Sequence, residues 1–295
     1  MRIRHLAAAV AAAALAACGS SVSGPVPPAH GVATESLARF SAPRDAFDSA
    51  NGRTAQAANN LIYGGGPVQT SPKIYVVFWG SAWNGSGGDP NGVKSALVNF
   101  YTAIAGSKWL ATVTQYTQSD GQHVGVTAYA GSYVDTTSTP PARPTQAQLA
   151  AEAAKAAAHF GGTPSIRVGN YVVALPHGIS PSGFGTQFCA YHSTTSASGA
   201  TIAWTALPYM PDAGSACGAG AVNSPGTLDG VSIISGGQQA DVEVNPAGSG
   251  WRDSTGAEIS AKCAWTNLID NPAAGGFPTQ PLWSNATGRC VQSYP

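Results

Sequence analysis

The rhythm of apolar positions changes several times along this chain, and each rhythm predicts an element. Lys73–Gly80, "KIYVVFWG", is a nearly continuous apolar, β-branched and aromatic run closed by glycine, the pattern of a strand buried on both faces. After "DPNG", Val93, Leu97, Phe100, Tyr101 and Ile104 recur at helical spacing up to a stop at Gly106. His123–Gly131, "HVGVTAYAG", alternates and predicts a strand. Thr145–Gly162 is the clearest helix: Thr145 and Gln148 fit a capping box, the interior is alanine-rich, and Gly161 suits the C-terminal end. His159 complements the negative end of that helix. Arg167–Leu175, "RVGNYVVAL", and Thr201–Leu207, "TIAWTAL", predict two more strands. Strands and helices alternate early and turn-rich segments dominate late. The fold class expected is α+β: one large domain over residues 61–295, a mixed β-sheet with packed helices, and a loop-rich C-terminal half.

Before residue 61 the pattern is different. Arg2, Arg4 and His5 precede twelve apolar residues, Leu6–Ala17, too few to span a bilayer as a helix but suited to a signal sequence. The run ends in Leu15-Ala16-Ala17-Cys18, which resembles a bacterial lipobox. Residues 1–17 are therefore expected to be removed, with Cys18 carrying the lipid and anchoring the chain to a membrane. Residues 19–60 are small and polar without sustained periodicity, and together with Cys18 are expected to form a flexible tether over 18–60, with one helical turn near Leu37 and Phe40. Gly19 after the cysteine leans towards an outer membrane or cell surface.

Composition narrows the partners. Lys and Arg total 14 and Asp and Glu total 14, and loss of Arg2 and Arg4 leaves twelve bases against fourteen acids. Nothing in that balance suggests a nucleic-acid surface. Charged residues make up only 9% of the chain, while Gly numbers 36 and Pro 21, so a sparsely charged, turn-rich, extracytoplasmic protein is expected. Apart from Cys18, the cysteines are Cys189, Cys217, Cys263 and Cys290, an even set that reads as two disulfides. Three pairings are open; Cys189–Cys217 with Cys263–Cys290 is the one in which each bridge closes a modest loop. No Cys-x-x-Cys pair supports a zinc reading of these residues.

Catalytic signatures are sparse. Gly64-Gly65-Gly66 lacks the Lys-Ser/Thr of a phosphate loop and reads as a tight turn, and neither Gly-x-Ser-x-Gly nor His-Glu-x-x-His occurs. The histidines are isolated, which favours structural roles for each. The order of several segments nonetheless resembles secreted bacterial relatives of the plant EXORDIUM/phosphate-induced proteins: "LIYGGGPVQTSPKIYVVFWG", "VTQYT", "FGTQFCAYHS", "LPYMPDAGSACG", "LDGVSIISGGQQADVEVNP", "GWRDSTGAEISAKCAW" and "PLWSNATGRCV", together spanning about residues 61–295. The resemblance implies a zincin-like domain. Many bacterial members carry a helix with His-Glu-x-x-Glu followed by Thr-Asp-Pro. The i, i+4 spacing puts the His and second Glu on one face to bind zinc, and the first Glu beside the metal-bound water as general base.

Aligned on Ser235-Gly236 and Pro246, this chain has Gly237 for the His, Gln238 for the base, Asp241 for the second Glu and Asn245 for the Asp before Pro246. Glu258 stands where a downstream carboxylate ligand is expected. Gly237 has nothing to coordinate with, and Gln238 accepts no proton from water near neutral pH. The expected function is therefore a cell-surface or periplasmic lipoprotein with a degenerate, non-catalytic metallopeptidase-like domain, binding an extracytoplasmic protein or glycan. The rival is an active metallo-hydrolase with zinc ligands recruited elsewhere, His177 and His192 being the nearest. A third reading is a carbohydrate-binding surface built from Trp204, Trp251, Trp265 and Trp283, set against their being core aromatics. "SGGQQ" also reads as a turn between strands Val231–Ile234 and Asp241–Val244, with Asp241 and Glu243 as solvated strand charges. Asp253, Gly256 and Glu258 read as a plain turn or a weak calcium loop.

Overall fold

The computed structural model describes residues 39–44 and 59–295, with the backbone alone at Arg39 and Phe40; the leader, Cys18 and the segment up to residue 38 lie outside the described residues. The predicted strand at Lys73 forms as β3 (Lys73–Trp79) and pairs in parallel with β4 (Ala128–Asp135) on one side and β5 (Gly169–Ala174) on the other. Beyond β5 lie β7 (Ala200–Leu207, parallel), β6 (Ala190–Ala197, antiparallel) and, at the edge, β1 (Arg39–Ser41), giving a mixed sheet in the order β1-β6-β7-β5-β3-β4. Two-residue β2 (Ile62–Tyr63) pairs with β8 (Trp251–Arg252), and β9 (Ile269–Asn271), β10 (Phe277–Thr279), β11 (Leu282–Ser284) and β12 (Arg289–Val291) form two small hairpin-like pairs.

Helices cover both faces, which explains why the central strands read as unbroken apolar runs. Ile74, Val76 and Phe78 face a core shared with α1 (Val93–Ile104) and α3 (Asp229–Val244), whereas Val77 and Trp79 face α2 (Gln146–Phe160). All five periodic residues of α1 are buried. The capping box of α2 forms in both directions between Thr145 and Gln148. The disulfides are Cys189–Cys217, joining β6 to the 3-10 segment Met210–Cys217, and Cys263–Cys290, joining the turn after α3 to β12. Each closes a loop for which chain entropy predicts about 3–4 kcal/mol, and two bridges suit an oxidising compartment. Among the described residues no helix is long and apolar enough to cross a membrane.

Four expectations change. The alternating run at His123 becomes strand only from Ala128, because Val124 and Gly125 donate to Tyr116 and Gln69 outside the sheet. Ser/Thr-rich β6 was invisible to hydrophobic patterning; it is held as a hairpin with β7 by Ser198 and Gly199, both at positive φ (49° and 79°). The tether expected over 18–60 gives up Arg39–Ser41 to the sheet: Cys189 N donates to Ser41 O, Trp265 Nε1 donates to Ala42 O, and Pro43 is buried. Finally, Val231–Val244 is not two strands and a turn but the single helix α3, all sixteen residues of it buried. Its glycines let it lie close to its neighbours. A Cβ at Gly230 would sit 1.8 Å from Cys217 O, and one at Gly236 would sit 2.8 Å from the rings of Phe100 and Trp109. Packing overrides a helix propensity that Gly-Gly lowers by about 1 kcal/mol per residue.

Candidate functional site

Helix α3 carries the residues that stand at the motif positions, and it brings a histidine from another strand beside them. His192 on β6 is 1% exposed and donates from Nδ1 to Gln238 Oε1 (3.0 Å), while Gln238 Nε2 donates to Ser41 Oγ (2.7 Å). On its other edge His192 Nε2 lies 3.5 Å from Glu258 Oε1. Glu258 Oε1 also accepts from Asn245 Nδ2, and Asn245 Oδ1 accepts from Gly250 N (2.6 Å). Asp241 is held by Ser260 through both the backbone N–H (2.8 Å) and Oγ (2.7 Å). A cavity of about 340 Å³ opens alongside, lined among others by Asn245, Arg252, Thr255 and Glu258.

The electrostatics follow from burial. For His192, burial opposes the charge, but the carboxylates of Glu258 and Asp241 and the bond to Gln238 outweigh it and raise the pKa above the usual imidazole value. Asp241 is raised by burial and by the charge of Glu258, with His192 and Ser260 pulling the other way. The cluster is thus a buried imidazole between carboxylates and amides, able to hold or pass a proton.

These residues do not suit zinc at the motif position. Gly237 offers no ligand, and the room an imidazole there would need is filled: a Cβ would meet Ser260 Oγ at 3.1 Å and Gln280 Nε2 at 3.3 Å. Gln238 and Asp241 spend their polar atoms on Ser41, His192 and Ser260. Among the described residues no three His, Cys, Asp or Glu side chains are placed to hold a metal ion.

The remaining expected ligands lie in other settings. His177 follows β5 and pairs through Nδ1 with Asp212 Oδ1 (2.5 Å), whose Oδ2 accepts from Gly178 N. Asp253, suggested for calcium, has Oδ1 satisfied by Thr255 N, Thr255 Oγ1 and Ala257 N, and Oδ2 paired with Lys262 Nζ at 3.0 Å. Burial raises this carboxyl, but those bonds outweigh it and hold the pKa below the usual carboxylate range. Lys262 itself is 2% exposed and sits 4.5 Å over the Trp283 ring, so an ammonium fills the cation's place in that loop. The four tryptophans form no sugar platform: Trp204 and Trp283 are buried, and half-buried Trp251 and Trp265 spend their Nε1–H groups on Thr117 O and Ala42 O.

Glu243 on α3 is wholly buried rather than solvated. Its Oε1 accepts from Gln239 Nε2 and Thr127 Oγ1, and its Oε2 has no hydrogen-bond partner. Ser41, Ser260 and Gln280 carried no signal in the sequence, because hydroxyls and amides become informative only when the fold places them. No family model, curated protein or solved structure matches this chain.

Proposed function

We propose that this chain is an extracytoplasmic lipoprotein, anchored through Cys18, whose zincin-like domain binds an extracytoplasmic partner and does not hydrolyse it. The observation that carries the reading is the packing around Gly237, where the motif histidine is absent and Ser260 and Gln280 occupy the space before it. A glutamine at 238 removes the general base, and its bonds to His192 and Ser41 fix it as a structural amide. The reading is chemical as well as steric: a metal-bound water needs ligands and a base, and at positions 237, 238 and 241 this helix supplies one carboxylate, Asp241, that Ser260 already holds. The two disulfides fit an exported domain.

The test is made on the mature protein with its disulfides intact. Metal content is measured after offering zinc, and a quenched fluorescent peptide library is assayed with and without chelator. No stoichiometric zinc and no chelator-sensitive cleavage are expected. Bound zinc with cleavage lost in His192→Ala would overturn the proposal in favour of a hydrolase built on recruited ligands. Mass spectrometry of the N-terminus tests the anchor, and an unmodified Cys18 would remove it.

A further inference from the structure

At the carboxyl end of β4, where the chain turns towards α2, two buried carboxylates meet from different elements. Asp135 is the last residue of β4 and its side chain is 2% exposed; Glu152 lies within α2 and its side chain is 3% exposed. They are served unequally. Asp135 accepts from Thr137 N (3.0 Å), Thr137 Oγ1 (2.7 Å), Ser138 Oγ (2.8 Å) and Lys155 Nζ. Glu152 has only Oε2 near a donor, 3.5 Å from Ser138 Oγ and 3.8 Å from the same Lys155 Nζ, while its Oε1 is buried without a hydrogen-bond partner. One ammonium and one hydroxyl proton, both already directed at Asp135, do not satisfy a second buried carboxylate.

The surroundings offer no other cation. Tyr133, two residues earlier on β4, has a buried hydroxyl with no partner and stacks on exposed His159 at 3.6 Å. Tyr171 and Tyr191 face α2 from β5 and β6, and burial raises all three phenols, so they stay neutral near pH 7. β3 contributes Trp79, 6% exposed, whose Nε1 donates to Ser138 Oγ at 2.9 Å, and at the far end Tyr75 against Phe160. β7 presents only the apolar Ile202, Trp204 and Ala206 to this core. We propose that Glu152 and Asp135 form a latch closed by one proton: neutral Glu152 lies against Asp135 and Ser138, and when the proton leaves, the two charges part and free α2 and residues 136–145 from the end of β4. Burial and the charge of Asp135 raise Glu152 to about 7 against the pull of Lys155, while the donors around Asp135 outweigh its own burial and keep it ionised. A carboxyl raised in the closed form favours closure fully below the ordinary glutamate value, and that advantage is lost as pH rises through 7.

The latch stands apart from the binding reading above, since neither metal nor partner enters it. Hydrogen exchange read by mass spectrometry on the mature protein at pH 5.5 and 8.5, corrected for the intrinsic effect of pH, tests it. Opening of residues 136–152 is expected to increase at least about tenfold across that range, while α1 stays protected at pH 8.5. Glu152→Gln, which keeps the shape without the charge, and Glu152→Met, which fills the space without a polar atom, are each expected to remove the increase. His159→Gln, which removes the imidazole beside the cluster, is expected to keep it. No increase in the parent, an equal increase in both Glu152 variants, loss of the increase in His159→Gln alone, or α1 losing protection together with 136–152 would each overturn the proposal.

Discussion

At the scale of single residues, the buried polar groups of α3 make the sharpest demands. Gly237→His combined with Gln238→Glu writes the motif back into the sequence, but the new Cβ meets Ser260 and Gln280 at 3.1–3.3 Å. The double variant is expected to lose about 1–3 kcal/mol in denaturant melts and to gain no zinc; zinc uptake at unchanged stability would contradict this. Glu243 asks for a proton. Burial pushes its carboxyl up to about 8, opposed only by bonds from Gln239 and Thr127. An acid whose native pKa is raised above its unfolded value binds its proton more tightly when folded, so stability falls as pH rises from the ordinary glutamate value towards 8. Glu243→Gln, which keeps the shape without the charge, is expected to make the melting temperature decline less between pH 5 and 9 than the parent's does. A variant that declines as steeply as the parent would show that Glu243 is not the group responsible.

At the scale of elements, β3, α1, α2, β5 and β7 were legible because each buries its apolar side as its periodicity requires. What stayed hidden has specific causes. The alternation of β6 is carried by Ser and Thr, and its hairpin turn is a Ser-Gly pair with no strong turn signature beyond the glycine. Helix α3 contains Gly230, the pair Gly236-Gly237 and β-branched residues that argue against a helix, and its identity comes from burial that no local window displays. The motif positions rest on resemblance alone, and the company of His192 with Gln238 and Glu258 depends on a β6 that periodicity missed. The edge strand β1 hides within a segment of small polar residues. Three hydrogen bonds through Ser41 and Ala42, at about 1 kcal/mol each and apart from the ladder with β6, imply that a chain beginning at Asn59 loses at least about 3 kcal/mol. A plain tether predicts no loss, so comparing the melts of the two lengths decides between them.

For the molecule as a whole, titration and cross-linking set the conditions in which it persists. Burial and the charge of Asp135 raise Glu152 to about 7, and Asp241, Glu243 and His192 are also raised, so each gives up stability as pH rises. Asp135 runs the other way: burial raises it, but Lys155, Thr137 and Ser138 outweigh this and hold it well below the usual range, and with Asp253 it loses stability as pH falls through the native pKa. The two trends place the stability maximum on the mildly acidic side, at about pH 4–5, which melts across pH would check. The loop at Asp253 adds a different kind of independence. Removing the ammonium with Lys262→Met leaves a half-buried carboxylate without its cation and is expected to cost about 1–3 kcal/mol, read in denaturant melts. A chelator is expected to leave the parent's melting temperature where it was. A loop that carries its counter-ion on one of its own side chains leaves no place for a cation from the medium. Where free calcium rises and falls with the surroundings, this corner of the molecule is expected to keep its shape through either extreme.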